Sequence, residues 1–96
     1  SMADEKSILT YKGKPLMRKD QVVYYGSMAD SHIVMLQILE TKNVGGEDIA
    51  SKVSVELQLT DPNVRATDRI VKKTEKEGFY TALDVGCVWL KRALKK

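Results

Sequence analysis

Cysteine and histidine occur once each in this 96-residue chain, as Cys87 and His32, and that scarcity excludes a good deal. One thiol cannot close an internal disulfide framework. A lone cysteine fits a reducing compartment, so a cytoplasmic protein is expected. The two residues lie about fifty-five positions apart, far from C-x-x-C or H-E-x-x-H spacing, and no metal site is expected. As a nucleophile Cys87 would need a nearby base or a helix amino terminus. It falls instead in the middle of an expected helix, on the apolar stripe, where a free cysteine behaves as a small hydrophobe.

Long apolar runs are also missing. The densest, Ile33 to Leu39, is interrupted by Gln37 and falls short of the roughly 18 residues needed to cross a bilayer, so no membrane span is expected. Gly45-Gly46 lacks the G-x-x-x-x-G-K-S/T pattern of a phosphate cradle. The carboxylates Glu40, Glu56, Asp61 and Asp84 stand at no separation that defines an acid/base pair. Asp84, flanked by apolar residues, would have a raised pKa if buried, and is otherwise expected on a helix shoulder beside a lysine or arginine. No enzyme and no cofactor is expected. The chain has no internal repeat and no Pro/Gly/Ser-rich linker, so residues 7–96 are expected to form a single domain. Ser1-Met2 reads as a protease-cleavage scar, and residues 1–6 as a tag remnant and disordered amino terminus.

Hydrophobic residues at 43% and charged residues at 30% place what remains among ordinary folded domains with one core. Short β-prone runs, Ile8–Tyr11, Pro15–Met17 and Gln21–Tyr25, alternate with turn residues and predict a small meander. His32 to Thr41 is dense enough in Ile, Val, Met and Leu for a strand buried on both faces. Its partner alternates, with Val53, Val55, Leu57 and Leu59 on one side and Ser54, Glu56, Gln58 and Thr60 on a side expected to be wet. The glycines Gly45-Gly46 supply the positive φ that a tight hairpin turn needs. Asp61-Pro62-Asn63 ends the pair, and residues 64–73 fit either a short helix or a guarded edge strand.

Thr74-Glu75-Lys76-Glu77 matches a capping box, and Tyr80, Leu83, Cys87, Leu90 and Leu94 then recur at spacings of three and four. A helix from about Glu75 is therefore predicted, buried along that stripe, with Gly86 permitting close approach to the sheet. The fold class that follows is α+β: an antiparallel β-meander of about five strands packed by a long carboxy-terminal helix.

The net charge of +3 is unevenly spread: residues 1–61 carry seven Lys/Arg against nine Asp/Glu, residues 62–96 nine against four. Arg65, Arg69, Lys72, Lys73 and Lys76 are the candidate nucleic-acid or anion contacts. Lys91, Arg92, Lys12, Lys14, Arg18 and Lys19 extend the set, and Tyr11, Tyr24, Tyr25 or Phe79 are available for stacking. The interleaved Asp68, Glu75 and Glu77 weaken the field that drives such binding, which favours a solvated surface. Trp89 and Val85 lie beside the apolar stripe and fit either a core position or an interface anchor.

Leu9–Leu16, Val34–Leu39, Leu59–Pro62 and Asp68–Lys73 resemble the corresponding runs of small uncharacterised proteins of gut-type Firmicutes. That resemblance implies a stand-alone bacterial cytosolic protein and lends no activity, cofactor or catalytic residue. The expected function is a non-enzymatic binding or regulatory module acting as a homodimer, with a protein partner; the alternative is nucleic-acid binding through the basic last third.

Overall fold

A computed structural model describes residues 9–95; residues 1–8, which include the expected tag remnant, lie outside the described residues. Six strands follow one another as β1 (Leu9–Tyr11), β2 (Lys14–Lys19), β3 (Val22–Tyr25), β4 (His32–Val44), β5 (Glu47–Leu59) and β6 (Ile70–Glu77). They form one antiparallel sheet in sequence order, closed by a single helix, α1 (Phe79–Leu94). The α+β meander is as predicted, with one strand more.

The β4–β5 hairpin is the centre of the sheet. Gly45 and Gly46 take φ of 59° and 88°, the geometry of a two-residue turn whose twist matches the flanking strands. From that turn the register runs down through Leu36↔Val55 and Val34↔Leu57 to His32↔Leu59. Because residues directly opposite share a face, Val34, Leu36, Val53, Val55 and Leu57 all point toward α1, joined by Val23 and Tyr25 from β3. Ala82, Leu83 and Leu90 of the helix complete this core, every one fully buried.

The extra strand and the shortened helix have one cause. Residues 70–77 line up along β5, with Thr74 opposite Val55 and Lys76 opposite Val53, so their amides bond to the sheet and the expected capping box is unused. Gly78, at φ 86°, ends the strand and opens the helix with no side-chain cap. The helix turns Phe79, Ala82, Leu83, Gly86 and Leu90 to the sheet, so Tyr80, expected in the core, falls on the flank of that stripe and is 71% exposed. Residues 64–69 hold only a short 3-10 turn at Ala66–Asp68.

Gly86 is the point of closest approach between the layers. A Cβ built on it would stand 2.8 Å from Val34 Cγ1, inside van der Waals contact. Alanine at an ordinary helix position is worth about 1 kcal/mol over glycine. Here Val34 is completely buried and β-branched, with no free rotamer to retreat into. Gly86→Ala is therefore expected to cost a net 1–3 kcal/mol, roughly the scale of core overpacking. Urea unfolding measures it, with the midpoint falling and the slope unchanged. The same substitution in a Val34→Ala background is expected to cost clearly less.

Candidate functional site

One helix covers one face of the sheet, and the opposite face carries the most unusual surface of the molecule. Two cross-strand rows define it. In the first, Met17 stands opposite Tyr24, Tyr24 opposite Met35, Met35 opposite Glu56 and Glu56 opposite Lys73. In the second, Ile33 stands opposite Gln58 and Gln58 opposite Ile70. The β3–β4 loop adds Met28. Met17, Tyr24, Met28 and Ile70 are 47%, 41%, 67% and 41% exposed, whereas Ile33 among them is buried. Met17, Tyr24, Met28 and Ile33, together with Pro15, Gln58 and Arg69, bound a hollow of about 600 Å³, and Ile70 lies beside Gln58 on the same face. Scattered apolar side chains are normal on a surface; this group is contiguous, which makes it the candidate site.

Beside the hollow, the alternation predicted for β5 holds while the wetness expected of its polar side does not. Glu56 and Ser54 are 7% and 3% exposed. The long side chains of the neighbouring strands cover them: Gln37 and Glu75 lie on either side of Ser54, Met35 and Lys73 on either side of Glu56. Both carboxylate oxygens of Glu56 are engaged. Gln58 Nε2 donates to Oε1 at 2.8 Å and Lys73 Nζ lies 3.5 Å from Oε2. A glutamate held this way is a fixed structural charge, and no base or nucleophile is poised against it. Ser54 Oγ is buried with no hydrogen-bond partner among the described residues, at a cost of about 1–3 kcal/mol. This face can hold an apolar group against methionine and tyrosine, with Gln58 and Arg69 as polar edges. Methionine suits that task because its flexible, polarizable side chain adapts to varied shapes.

The basic residues singled out in the sequence are divided by the strand pleat. Lys73 points to the uncovered face, while Lys72 and Lys76 point to the helix side, opposite Leu57 and Val53. The Lys72 ammonium lies 5.6 Å from the centroid of the Trp89 ring. Arg69 ties down the loop before β6, donating to the carbonyls of Val64 at 2.6 Å and Pro62 at 3.3 Å. Arg65 pairs with Asp68 at 3.2 Å. Trp89 and Val85 are half-buried, Trp89 packed against the core. A different set of cations does converge: Lys12, Lys14 and Lys91 line a groove with Tyr25, Cys87 and Val88, and Lys95 extends it along Lys14 and Leu94.

His32 and Cys87 have unrelated neighbours, His32 Nδ1 meeting Ser31 Oγ at 2.7 Å at the start of β4. No group of three or more metal-ligating side chains is found among the described residues, and no helix there is long and apolar enough to cross a membrane. The methionine face was not foreseen as a site. Its only sequence signal was the run of apolar residues at both parities of β2 to β4, which reads equally as a core.

Asp84 is exposed and, among the described residues, pairs with neither lysine nor arginine; its Oδ1 accepts the Tyr11 hydroxyl at 3.2 Å. The Tyr25 hydroxyl donates to the Tyr11 carbonyl at 2.8 Å, and the two rings meet edge to face. Burial, followed by the neighbouring Cys87 thiol, pushes the Tyr25 phenol well above its ordinary value, and burial with the Asp84 contact raises that of Tyr11. The folded state thus holds these protons more tightly than the unfolded chain. Their contribution to stability is complete below pH 10, the ordinary phenol value, and is lost as pH rises through the raised ones. Stability followed by urea unfolding from pH 8 to 12 is expected to decline above about pH 10, and less steeply in Tyr25→Phe. An unchanged slope in that variant would reject the assignment. No family model, curated protein or solved structure matches the chain, so what it does is argued from this geometry.

Proposed function

We propose that the protein is a non-enzymatic binding module that acts as a homodimer and engages a protein partner through the helix-free face of its sheet. The observation that carries this reading is the exposure of Met17, Tyr24 and Met28 around one hollow that the buried Ile33 also lines. A partner segment presenting two or three apolar side chains would fill it. Such contacts are strongest where aromatic and methionine anchors are desolvated at the centre and ringed by polar groups. Gln58, Lys73 and Arg69 stand where that rim belongs.

Selection of a random peptide library on the full chain is the direct test, each selected peptide then being titrated by calorimetry. Apolar peptides are expected, binding at least tenfold more weakly to Met17→Asp and Tyr24→Asp, a loss of about 1.4 kcal/mol or more, with thermal midpoints unchanged. Selected peptides indifferent to both substitutions would refute the reading.

The alternative, nucleic-acid binding, is supported by the groove of Lys12, Lys14, Lys91 and Lys95 in place of the arginines and lysines of the last third. Single-stranded DNA or RNA would bind there with strong salt dependence, weakened by Lys12→Glu and Lys91→Glu together. Gel shifts at low salt that show no binding dispose of this alternative.

A further inference from the structure

The upper half of the central hairpin has no neighbouring strand among the described residues, although Ala50 at its base packs against the core. β3 reaches along β4 only to the Ile38 amide, which donates to the Gln21 carbonyl at 2.8 Å. On the other side β6 stops where the Gly78 amide donates to the Ser51 carbonyl at 3.1 Å. Beyond those points Thr41–Val44 pair, among the described residues, only with Glu47–Ala50; Glu40 pairs with Lys52, and register shifts on either side of Glu40 leave Leu39 unpaired, so that Leu39–Val44 forms one edge of an arm about 20 Å long. Its Leu39, Val44 and Ile49 are 41%, 57% and 49% exposed. An isolated two-stranded ribbon is marginal in water, and a free strand edge is a template for a further strand.

The other free edges of the sheet are guarded or short. β6 carries Lys72, Lys73, Glu75 and Lys76, and β1 has three residues among those described. The β4 edge of the arm is six residues long, and its charges are arranged to match themselves. Glu40 and Lys42 share one face of the strand, two residues apart, with Thr41 between them. When this edge meets an identical edge antiparallel, with the two-fold axis at Thr41, Glu40 falls directly opposite Lys42 of the second copy, and Lys42 opposite its Glu40. Lys52 lies 3.3 Å from Glu40 across the hairpin, so the joined sheet carries the row Lys52, Glu40, then Lys42 of the second copy. Opposite charges alternate along it, and the same row repeats by symmetry. Lys42 has no ion pair among the described residues within one chain.

We propose that the partner of this arm is a second copy of the chain, added strand to strand along Leu39–Asn43 about a two-fold at Thr41. The pairing stops at Leu39, where Gln21 already occupies the edge. It is isologous, so it closes after two copies and propagates no fibre. This inference rests on the dimer half of the reading above and is independent of what the methionine face binds.

Sedimentation of the full chain from 1 to 300 μM, with two charge variants, tests it. In Glu40→Lys like charges face each other at both symmetric positions, and the same is true of Lys42→Glu. Each variant alone is expected to dimerise at least tenfold more weakly than the wild-type dimer, with unchanged circular dichroism. An equimolar mixture of the two places lysine opposite glutamate at both positions, and is expected to restore dimers of wild-type affinity. Met17→Asp is expected to leave the dimer intact. A wild-type monomer throughout the range overturns the proposal, as it would if the arm instead took an extended peptide of another protein. A dimer indifferent to both charge variants, a mixture that stays monomeric, or a dimer lost in Met17→Asp overturns it equally. Failure of peptide binding at the methionine face with this pattern preserved would condemn only the other half.

Discussion

The contact of α1 with the two central strands, closest at Gly86 on Val34, is what the remainder of the molecule is arranged around. A helix of sixteen residues is about 24 Å long and 10 Å wide. Six strands at about 4.8 Å spacing make a sheet of similar width and two faces. One helix can therefore dry only the middle of one face. That middle holds every fully buried large side chain: Leu36, Leu83, Leu90, Val23, Val34, Val53 and Val55.

What the helix leaves uncovered is of two kinds. The opposite face keeps its own central strand dry by laying long side chains across it, which is why Glu56 and Ser54 are buried without a second layer above them. Charge pairing makes that tolerable for Glu56, whose oxygens meet Gln58 and Lys73. Removing one partner of such a pair generally costs more than the pair contributes. Nothing equivalent shields Met17, Tyr24, Met28 and Ile70, and there the surface stays apolar. The arm of the central hairpin is uncovered in another sense, lacking neighbours along its edges rather than over its face.

Much of the architecture could be read from local chemistry. The turn at Gly45-Gly46, the alternation from Val53 to Leu59 and the close approach at Gly86 each follow from constraints acting within a few residues. The expected start of the helix failed for an instructive reason. Thr74-Glu75-Lys76-Glu77 satisfies the capping pattern, yet the same residues also suit an edge strand, and β5 offers a full ladder of backbone partners that a helix end does not. Tyr80 is exposed for a separate reason: the stripe that meets the sheet is centred on Phe79, Ala82, Leu83, Gly86 and Leu90, and Tyr80 lies on its flank.

Sequence by itself determined the class of the fold, the central hairpin, the presence of one terminal helix and the lack of any spaced set of catalytic or metal-binding residues, because each depends on periodicity, turn chemistry or simple counts. Tertiary structure alone decided which face of each strand the helix covers, and so which apolar residues become core and which become surface. Met17 and Val23 are both apolar residues on neighbouring short strands; one is 47% exposed and the other 2%. The pleat assigns each to a side, but only the position of the helix makes one side dry. The same holds for the basic residues of β6, whose alternation sent Lys72 and Lys73 to opposite faces and dispersed a cluster that was contiguous only along the chain.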